Sequence, residues 1–247
     1  MKINIVSNDT RYMLVCKSLC QKGIKAQICS PDAVDDCDFL LLSVRKELDF
    51  LELKQALSRI NKETVVLCGN DERISKLFNG KIIDYSENRD FVEKNAYLTA
   101  EATVSFLHTV MGKCISGQEV FVAGYGRIGS ALSKILTSLG ASVYAFARRE
   151  KYKTQMECDG VIPAPIDKCV SCDVIINTVP SIIFSSELIS KIPTATIIIE
   201  LASAPYGFES MDRVVLGAGL PGKILPRSGA EVIFDTIYNI LSYNEQE

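Results

Sequence analysis

The feature that most constrains this chain is a glycine turn set between two apolar runs. The run from Val120 to Ala123 leads into Gly124-Tyr125-Gly126-Arg127-Ile128-Gly129, and an amphipathic helix pattern follows as far as Gly140. A second apolar run covers residues 142–147. The order strand, glycine turn, helix, strand is the context in which a Gly-x-Gly-x-x-Gly match predicts a dinucleotide site. The alternative is a strand–helix–strand crossover whose glycines serve the fold alone.

Each glycine of this turn has a predicted role. The first allows the tight turn, the second lets a pyrophosphate approach the backbone, and the third lets the helix pack close to the strand. The N-terminus of the helix adds unpaired N–H groups and the positive end of its dipole. Asn177 and Thr178 either join this site or only terminate a strand. The predicted cofactor-binding residues are Gly124, Gly126, Arg127, Ile128, Gly129, Asn177, Thr178, Val179, Pro180 and Leu201.

The end of the second strand indicates which dinucleotide binds. An NAD site usually carries an acidic residue about 20 residues after the first glycine, where it bonds the ribose 2′-hydroxyl. Here that strand ends in Arg148 and Arg149, and no acid stands there before Glu150. A guanidinium suits a 2′-phosphate through bidentate, charge-assisted hydrogen bonds. We therefore predict NADP rather than NAD, with both arginines in the site; the alternative is that they are solvated charges.

The bulk composition argues against several classes of protein. The 247 residues are 47% hydrophobic, which is enough for one large or two small domains with sizeable cores. The net charge of −3 gives no basis for binding nucleic acid or an anionic membrane. No apolar run approaches the ~18 residues of a transmembrane helix, and the first residues lack the pattern of a signal peptide. We therefore expect a cytoplasmic protein.

The nine cysteines are expected to be mostly reduced, because an odd number fits no closed disulfide framework. Cys169 and Cys172 have C-x-x-C spacing, but neither a second pair nor a histidine is near them in the sequence, so no metal site is predicted. Cys16 and Cys20 lie four apart on a predicted helix and are interpreted as small core residues. His108 lies in the middle of a predicted helix and is expected to be packed or exposed rather than catalytic.

Apolar runs and helical patterns alternate along the whole chain. This alternation predicts the α/β class, with two doubly wound, Rossmann-like parallel sheets and right-handed crossovers. We predict an N-terminal α/β domain over 1–90, a helical linker over 91–115, an NADP-binding Rossmann domain over 116–230, and a C-terminal helix over 231–247 that could pack back on the first domain. No internal repeat beyond this alternation is expected.

A glycine-rich stretch near the C-terminus is the strongest candidate for substrate binding. The stretch 217–229 follows the last predicted strand, is expected to form a loop near the nicotinamide position, and carries Lys223 and Arg227. Two cations there suit a substrate with carboxylates; alternatively they are solvated charges on a structural loop. Glu101 either complements the dipole of the linker helix or faces a cleft between domains.

Four sets of residues carry a family resemblance. They are Asp9-Thr10-Arg11, Thr99-Ala100-Glu101, the glycine turn through Arg148, and the C-terminal motifs Asn177-Thr178-Val179-Pro180, Leu201-Ala202-Ser203 and Gly219-Leu220-Pro221-Gly222-Lys223 with Pro226, Ser228 and Gly229. In these motifs the chain resembles the A subunits of dipicolinate synthases, and the resemblance extends over most of the chain. It departs from them at Ala102 and Tyr206, where that family usually has glycine, and it is shorter than expected before the linker.

The resemblance implies oxidation of dihydrodipicolinate, or its hydrated precursor, to dipicolinate during spore formation, with NADP as hydride acceptor. It implies catalytic roles for Lys223, Glu101 and Thr99, and substrate binding by Arg11, Lys223, Arg227 and Ser203. It also implies a partner, the second and flavodoxin-like subunit of such synthases, while a homo-oligomer stays open. Two other interpretations remain: another NADP-linked dehydrogenase of a small carboxylic acid, similar to shikimate dehydrogenase, and a non-catalytic module that binds NADP(H) to regulate a partner.

Overall fold

The computed structural model describes residues 1–244, which form two α/β units with one parallel sheet each. The first unit contains Met1–Asn95 and the chain from Leu225 onward, and the second contains Ala96–Ile224. The predicted fold class, two parallel-sheet Rossmann-like units, is confirmed.

Strands and helices alternate along the described chain. The strands are β1 (Lys2–Val6), β2 (Lys25–Ile28), β3 (Phe39–Leu42), β4 (Val65–Cys68), β5 (Ile82–Asp84), β6 (Glu119–Ala123), β7 (Ser142–Phe146), β8 (Ile162–Pro163), β9 (Val174–Asn177), β10 (Ile197–Glu200) and β11 (Val214–Leu216). The α-helices are α1 (Thr10–Gln21), α2 (Phe50–Ser58), α3 (Glu72–Leu77), α4 (Arg89–Met111), α5 (Arg127–Ser138), α6 (Tyr152–Cys158), α7 (Ser186–Lys191), α8 (Leu220–Ile224) and α9 (Pro226–Asn244).

The first sheet has the strand order β2-β1-β3-β4-β5 and buries apolar side chains on both faces. Because successive strand residues point to opposite faces, Leu41 joins the core formed with α1 and α9, and Leu40 joins the core formed with α2. Asp9 caps α1 by accepting a hydrogen bond from the backbone of Arg11. The strand order reverses between β1 and β3, so the carboxyl ends of these strands border a crevice position.

The second sheet has the order β11-β10-β9-β6-β7-β8, which is the strand order of dinucleotide-binding Rossmann folds. One of its faces packs Phe121 and Ile175 against Phe184 and Phe208. The order reverses between β6 and β9, where Ala123 is paired with Asn177. The glycine turn therefore begins at the topological switch point, where open α/β sheets bind ligands.

Three sequence expectations need correction or limits. The stretch 217–229 is not one loop, because Lys223 lies in α8 and Arg227 lies in the first turn of α9. Prolines open both helical segments at positions where the first turn tolerates a missing N–H. Cys20 is exposed rather than in the core. The predicted C-terminal helix is present as far as Asn244, and residues 245–247 lie outside the described residues.

Candidate functional site

The glycine turn has a conformation that the fold imposes at two of its three glycines. Gly124 has φ +98°, a left-handed conformation that disfavours other residues. A Cβ on Gly129 would lie 2.1 Å from the carbonyl oxygen of Gly124, so only glycine lets α5 approach the turn this closely. At Gly126, by contrast, a Cβ would have nothing within 4 Å. The middle glycine therefore opens onto free space at the N-terminus of α5.

Thr178 closes the switch point on the side of β9. Its Oγ1 donates a 2.8 Å hydrogen bond to the carbonyl oxygen of Ala123. A Cβ on Gly124 would lie 2.3 Å from that same Oγ1, so the threonine and the turn fit against each other without spare room. The backbone of the turn is thereby held between β7 and β9, since the N–H of Gly124 also donates to the carbonyl of Phe146 at 2.8 Å.

A cleft of about 330 Å³ lies along this turn. Both Arg148 and Arg149 line it, and neither guanidinium has a hydrogen-bond or ion-pair partner within residues 1–244. Its lining in the described chain includes no acidic side chain. The lining residues are Gly124, Tyr125, Gly126, Phe146, Ala147, Arg148, Arg149, Tyr152, Thr178, Val179, Pro180 and Ile183. This cleft combines backbone N–H groups at a helix start with two available cations, which suits phosphate groups.

Tyr125, the variable residue between the first two glycines, ties the turn to α6. Its hydroxyl donates a 2.8 Å hydrogen bond to Oδ2 of Asp159, which also accepts from Gln155 and forms a 3.3 Å ion pair with Lys134. Burial raises the pKa of Tyr125, and the neighbouring carboxylate of Asp159 raises it further, so the phenol stays protonated and remains a donor. Sequence reasoning assigned no role to this residue.

No role was predicted for Glu200 either, which ends β10 at the same edge of the sheet. Its carboxylate is buried and accepts hydrogen bonds from the amide of Asn177 at 2.8 and 2.9 Å and from the backbone N–H groups of Ala202 and Gly207, both at 2.7 Å. Burial raises the pKa of Glu200 despite these donors. An acid closing the otherwise apolar run Ile197–Ile199 was the signal in the sequence.

The geometry of this cleft agrees with a family-level match. Residues 85–206 match the NAD-binding domain of the D-isomer specific 2-hydroxyacid dehydrogenases. The A subunit of dipicolinate synthase from Bacillus subtilis is 26% identical in a match that covers 71% of this chain. This chain resembles the A subunit of dipicolinate synthase. The resemblance inferred from the sequence is thereby confirmed, and the match spans 63% of the length of that relative.

Solved structures show the same fold. The crystal structure of the A subunit of dipicolinate synthase from Bacillus subtilis has a TM-score of 0.80 at 22% identity, and covers 100% of this chain and 98% of that one. The A subunit from Bacillus halodurans has a TM-score of 0.82 at 23% identity, with 97% of each chain covered. The family match supports an oxidoreductase with a nicotinamide cofactor.

Some of the predicted cofactor residues line the cleft, some form the start of α5, and two do neither. Val179 and Pro180 line it directly, as Thr178 does. Arg127 and Ile128 form the first turn of α5, which has no side-chain cap for its N–H groups. Asn177 and Leu201 do not line the cleft: the amide of Asn177 is used by Glu200, and the backbone N–H of Leu201 bonds to the carbonyl of Asn177 at 2.9 Å.

The predicted substrate residues occupy both units. Ser203 is exposed in the segment that Glu200 holds, and Lys223 is exposed on α8. Thr99 is buried, and Glu101, two residues further along α4, is exposed on another side of the helix. Arg227 is exposed at the start of α9, in the first unit.

Arg11, also in the first unit, is 4% exposed and is bound to its own capping residue. Its Nη2 lies 2.6 Å from Oδ2 of Asp9, and its Nε donates to both carboxylate oxygens at 3.1 and 3.0 Å. Burial alone would raise the pKa of Asp9, but the hydrogen bonds and charge of Arg11 lower it. The guanidinium is therefore held in one orientation.

The structure also places the histidine and the cysteines considered from the sequence. His108 is exposed on α4. All nine cysteines are free, with Cys169 and Cys172 buried, and no group of metal-binding side chains occurs within residues 1–244. Over the same residues, none of the helices combines the length and apolar character needed to cross a bilayer.

Proposed function

We propose that this chain is an NADP-dependent dehydrogenase that oxidises dihydrodipicolinate, or its hydrated precursor, to dipicolinate. The observation that carries the cofactor assignment is the open space above Gly126. The backbone there has φ −81°, which any residue adopts, and a Cβ would meet no protein atom within 4 Å. The fold does not require glycine at this position, whereas a pyrophosphate that approaches the backbone does.

The two arginines of the cleft support NADP over NAD. Arg148 and Arg149 follow β7, where an NAD site usually places an acid for the ribose 2′-hydroxyl. Neither guanidinium has a partner within residues 1–244, so both are available to a 2′-phosphate. An arginine offers that group parallel N–H donors in a fixed fork.

The resemblance to the A subunit of dipicolinate synthase supports a dicarboxylate substrate. A bound nicotinamide supplies hydride acceptance. The residues of this chain would bind and orient the substrate: Arg11, Lys223, Arg227 and Ser203 as donors to its carboxylates. We assign catalytic positions to Lys223, Thr99 and Glu101, with Thr99 and Glu101 either binding the edge of the ring or accepting a proton. Aromatisation favours the reaction, so anchoring matters more than a strong base.

The biological setting is part of the same proposal. By analogy with that relative, we propose that the partner is a second, flavodoxin-like subunit, and that the chain has a role in spore formation in the cytoplasm. The relative is described as one subunit of a synthase. We assign residues 116–230 as the cofactor-binding domain, residues 91–115 as the linker from the domain over 1–90, and residues 231–247 as a C-terminal segment, which is helical as far as the structure describes it, to Asn244.

Turnover tests the proposal directly. The chain is incubated with NADP⁺, dihydrodipicolinate and the second subunit, and both NADPH and dipicolinate are followed by ultraviolet absorbance. We expect the two products to appear together in equal amounts. NADP⁺ binding without turnover of this substrate would identify a regulatory module, and turnover of another carboxylic acid alone would identify a different dehydrogenase.

Lys223→Met tests the assignment of the substrate side. It keeps the apolar stem and removes the charge, so kcat/KM for dihydrodipicolinate should fall by roughly 100-fold, because a lost charged hydrogen bond also misplaces the ring. Lys54→Met, which changes an exposed lysine on α2, is the matched control. Wild-type kcat/KM in the Lys223 variant would restrict this lysine to a structural role.

A further inference from the structure

A turn sequence occurs twice in the first unit, at corresponding positions after two strands. Ser7-Asn8-Asp9-Thr10-Arg11 follows β1, and Gly69-Asn70-Asp71-Glu72-Arg73 follows β4. Both contain Asn-Asp-x-Arg, with the aspartate three residues beyond the end of its strand. This short motif lies within the strand–helix alternation of the first unit. It places the same pair of side chains at two helix starts of one sheet.

The two copies have the same geometry. In each, the aspartate caps the helix by accepting from the backbone N–H of the arginine, at 2.9 Å in the first copy and 3.1 Å in the second. The Nε and Nη2 groups of the arginine donate hydrogen bonds to the same carboxylate. The distance from Nη2 to Oδ2 is 2.6 Å in both copies. Each guanidinium therefore has its orientation set by a carboxylate two residues earlier, which leaves the rest of its fork for another acceptor.

Strand pairing puts the copies on either side of β3. Val6 pairs with Leu42, and Leu41 pairs with Leu67, so β1 and β4 end at the same level. With neighbouring strands about 4.8 Å apart, the two turns begin about 10 Å from each other. Both turns thus stand at the carboxyl edge of the sheet, where open α/β sheets bind ligands.

The loop after β3 adds positive charge between the copies. Arg45 and Lys46 are exposed in this loop. Burial would raise the pKa of Asp9, but Arg11 lowers it and Arg45 contributes to the lowering. The hydrogen bond from Arg73 is the main reason that the pKa of Asp71 is lowered, and Lys46 adds to this effect. Glu47, from the same loop, accepts hydrogen bonds from Ser7 and Ser43, so the edge between the two turns carries both positive and negative side chains.

The buried arginine still has unused donors. Arg11 is 4% exposed, yet within residues 1–244 Asp9 accounts for all the hydrogen bonds of its guanidinium, and Nη1 has no acceptor. Arg73, whose side chain is 30% exposed, bonds through its guanidinium only to Asp71 among these residues. A guanidinium removed from water with donors unused is costly to the fold by itself. An anionic ligand would complete both forks.

We propose that Arg11 and Arg73 form a matched pair of anchors for the two carboxylates of one small ligand at the carboxyl edge of the first sheet. This inference rests on the proposed function and deepens it by naming Arg73 as the second carboxylate anchor of a dipicolinate-type substrate. Two oriented forks on a rigid sheet edge select a dicarboxylate over a monocarboxylate, because a ligand with one carboxylate leaves one fork unfilled.

The test compares dipicolinate with picolinate, which has the same ring and a single carboxylate. Both are titrated calorimetrically into the full chain, as wild type and as Arg73→Gln, Arg73→Lys and Arg89→Gln. The last is a matched control, since Arg89 is exposed and pairs with Glu93 on α4. Wild type should bind dipicolinate about tenfold or more tightly than picolinate, the factor expected from one charged hydrogen bond.

Arg73→Gln should weaken dipicolinate binding by about tenfold or more and change picolinate binding much less, so that the preference for the dicarboxylate disappears. Arg73→Lys keeps the charge but not the fork and should lose part of the preference. Arg89→Gln should behave as wild type. Unchanged melting temperatures would show that the variants are folded. If Arg73→Gln does not fold, Arg73→Lys takes its place in the comparison.

Two results would overturn the proposal: equal affinities of wild type for the two ligands, and an undiminished preference for dipicolinate in both Arg73 variants. Either can occur while the enzyme still reduces NADP⁺ with dihydrodipicolinate, in which case the proposed function stands and only the paired anchors fail. Absence of that turnover in wild type would instead refute the proposed function.

Discussion

The carboxyl edges of the two sheets are built in opposite ways. At the edge of the second sheet, backbone is left open at Gly126 and the cations Arg148 and Arg149 have no protein partner within residues 1–244. At the edge of the first sheet, polar side chains hold one another: the carboxylate of Glu47 accepts hydrogen bonds from Ser7 at 2.9 Å and Ser43 at 2.8 Å. Both sheets are parallel and have a switch point, so topology alone does not distinguish them.

This difference between the two edges indicates which kind of anion each edge can bind. An edge made of backbone and unpaired cations suits a large phosphate-bearing ligand that brings its own charges. An edge with cations already oriented by carboxylates suits a small ligand that must be held in one position. Substitutions at equivalent places on the two edges should therefore have opposite effects on stability and on binding.

The largest contrast is expected between Gly126→Val and Gly69→Val. A side chain at 126 enters free space, so the melting temperature should hold while NADP⁺ affinity falls by roughly 100-fold or more. A Cβ at 69 would lie 2.3 Å from the carbonyl oxygen of Val44, so the fold should lose about 1–3 kcal/mol or more. Thermal unfolding and NADP⁺ titration of both variants check this. Normal NADP⁺ binding by a folded Gly126 variant would place the pyrophosphate elsewhere.

The unpaired arginines at the edge of the second sheet should affect the binding of only one of the two cofactors. Replacing both Arg148 and Arg149 by alanine should weaken NADP⁺ binding by about 1–3 kcal/mol, the range for hydrogen bonds to a charged group, and leave NAD⁺ binding almost unchanged. Stability should not change, because neither guanidinium has a partner among residues 1–244. Calorimetric titration of both cofactors is the measurement, and equal losses for the two would contradict the 2′-phosphate assignment.

Buried and exposed carboxylates of the second unit should respond to pH in opposite senses. Burial raises the pKa of Glu200, so between its unfolded and folded pKa values the folded state binds more protons, and its contribution to stability falls as pH rises. The backbone N–H of Ser186 is the main cause of the lowered pKa of Glu209, whose contribution is lost as pH falls.

The measurement is the free energy of unfolding against pH for Glu200→Gln, Glu209→Gln and wild type. Glu200→Gln should remove a decline of stability with rising pH, and it should cost about 1–3 kcal/mol because its amide faces the N–H donors of Ala202 and Gly207. Glu209→Gln should remove a decline of the free energy of unfolding toward acid pH. Identical pH slopes in all three proteins would show that neither carboxyl changes its pKa on folding.

The same contrast explains what the sequence could predict. The strands and the glycine turn were predictable because apolar runs and local backbone requirements depend on residues that are adjacent in the sequence. The roles of Glu200 and Tyr125 were not, because they depend on Asn177 and Asp159, which are distant from them in sequence. The helix at Lys223 was missed because glycine and proline normally indicate a loop.

The last contrast is between two tyrosines, one at each edge, and it includes the smallest expected effect. Tyr12 is fully buried, bonds to the hydroxyl of Tyr85 and accepts the N–H of Val44 at 2.7 Å. Tyr12→Phe leaves that N–H without a partner, so about 1–3 kcal/mol of stability should be lost.

Tyr125→Phe should cost less, about 0.5–1.5 kcal/mol, because Asp159 keeps its bonds to Gln155 and Lys134 when the phenol is removed. The change should still be visible in binding, since the hydroxyl fixes a turn residue that lines the cleft, and NADP⁺ affinity should fall a few-fold with little change in melting temperature. Urea unfolding and NADP⁺ titration of both phenylalanine variants measure the two effects. A loss of NADP⁺ affinity as large in Tyr12→Phe as in Tyr125→Phe would mean that general loosening of the protein, rather than the tether to α6, controls the cleft.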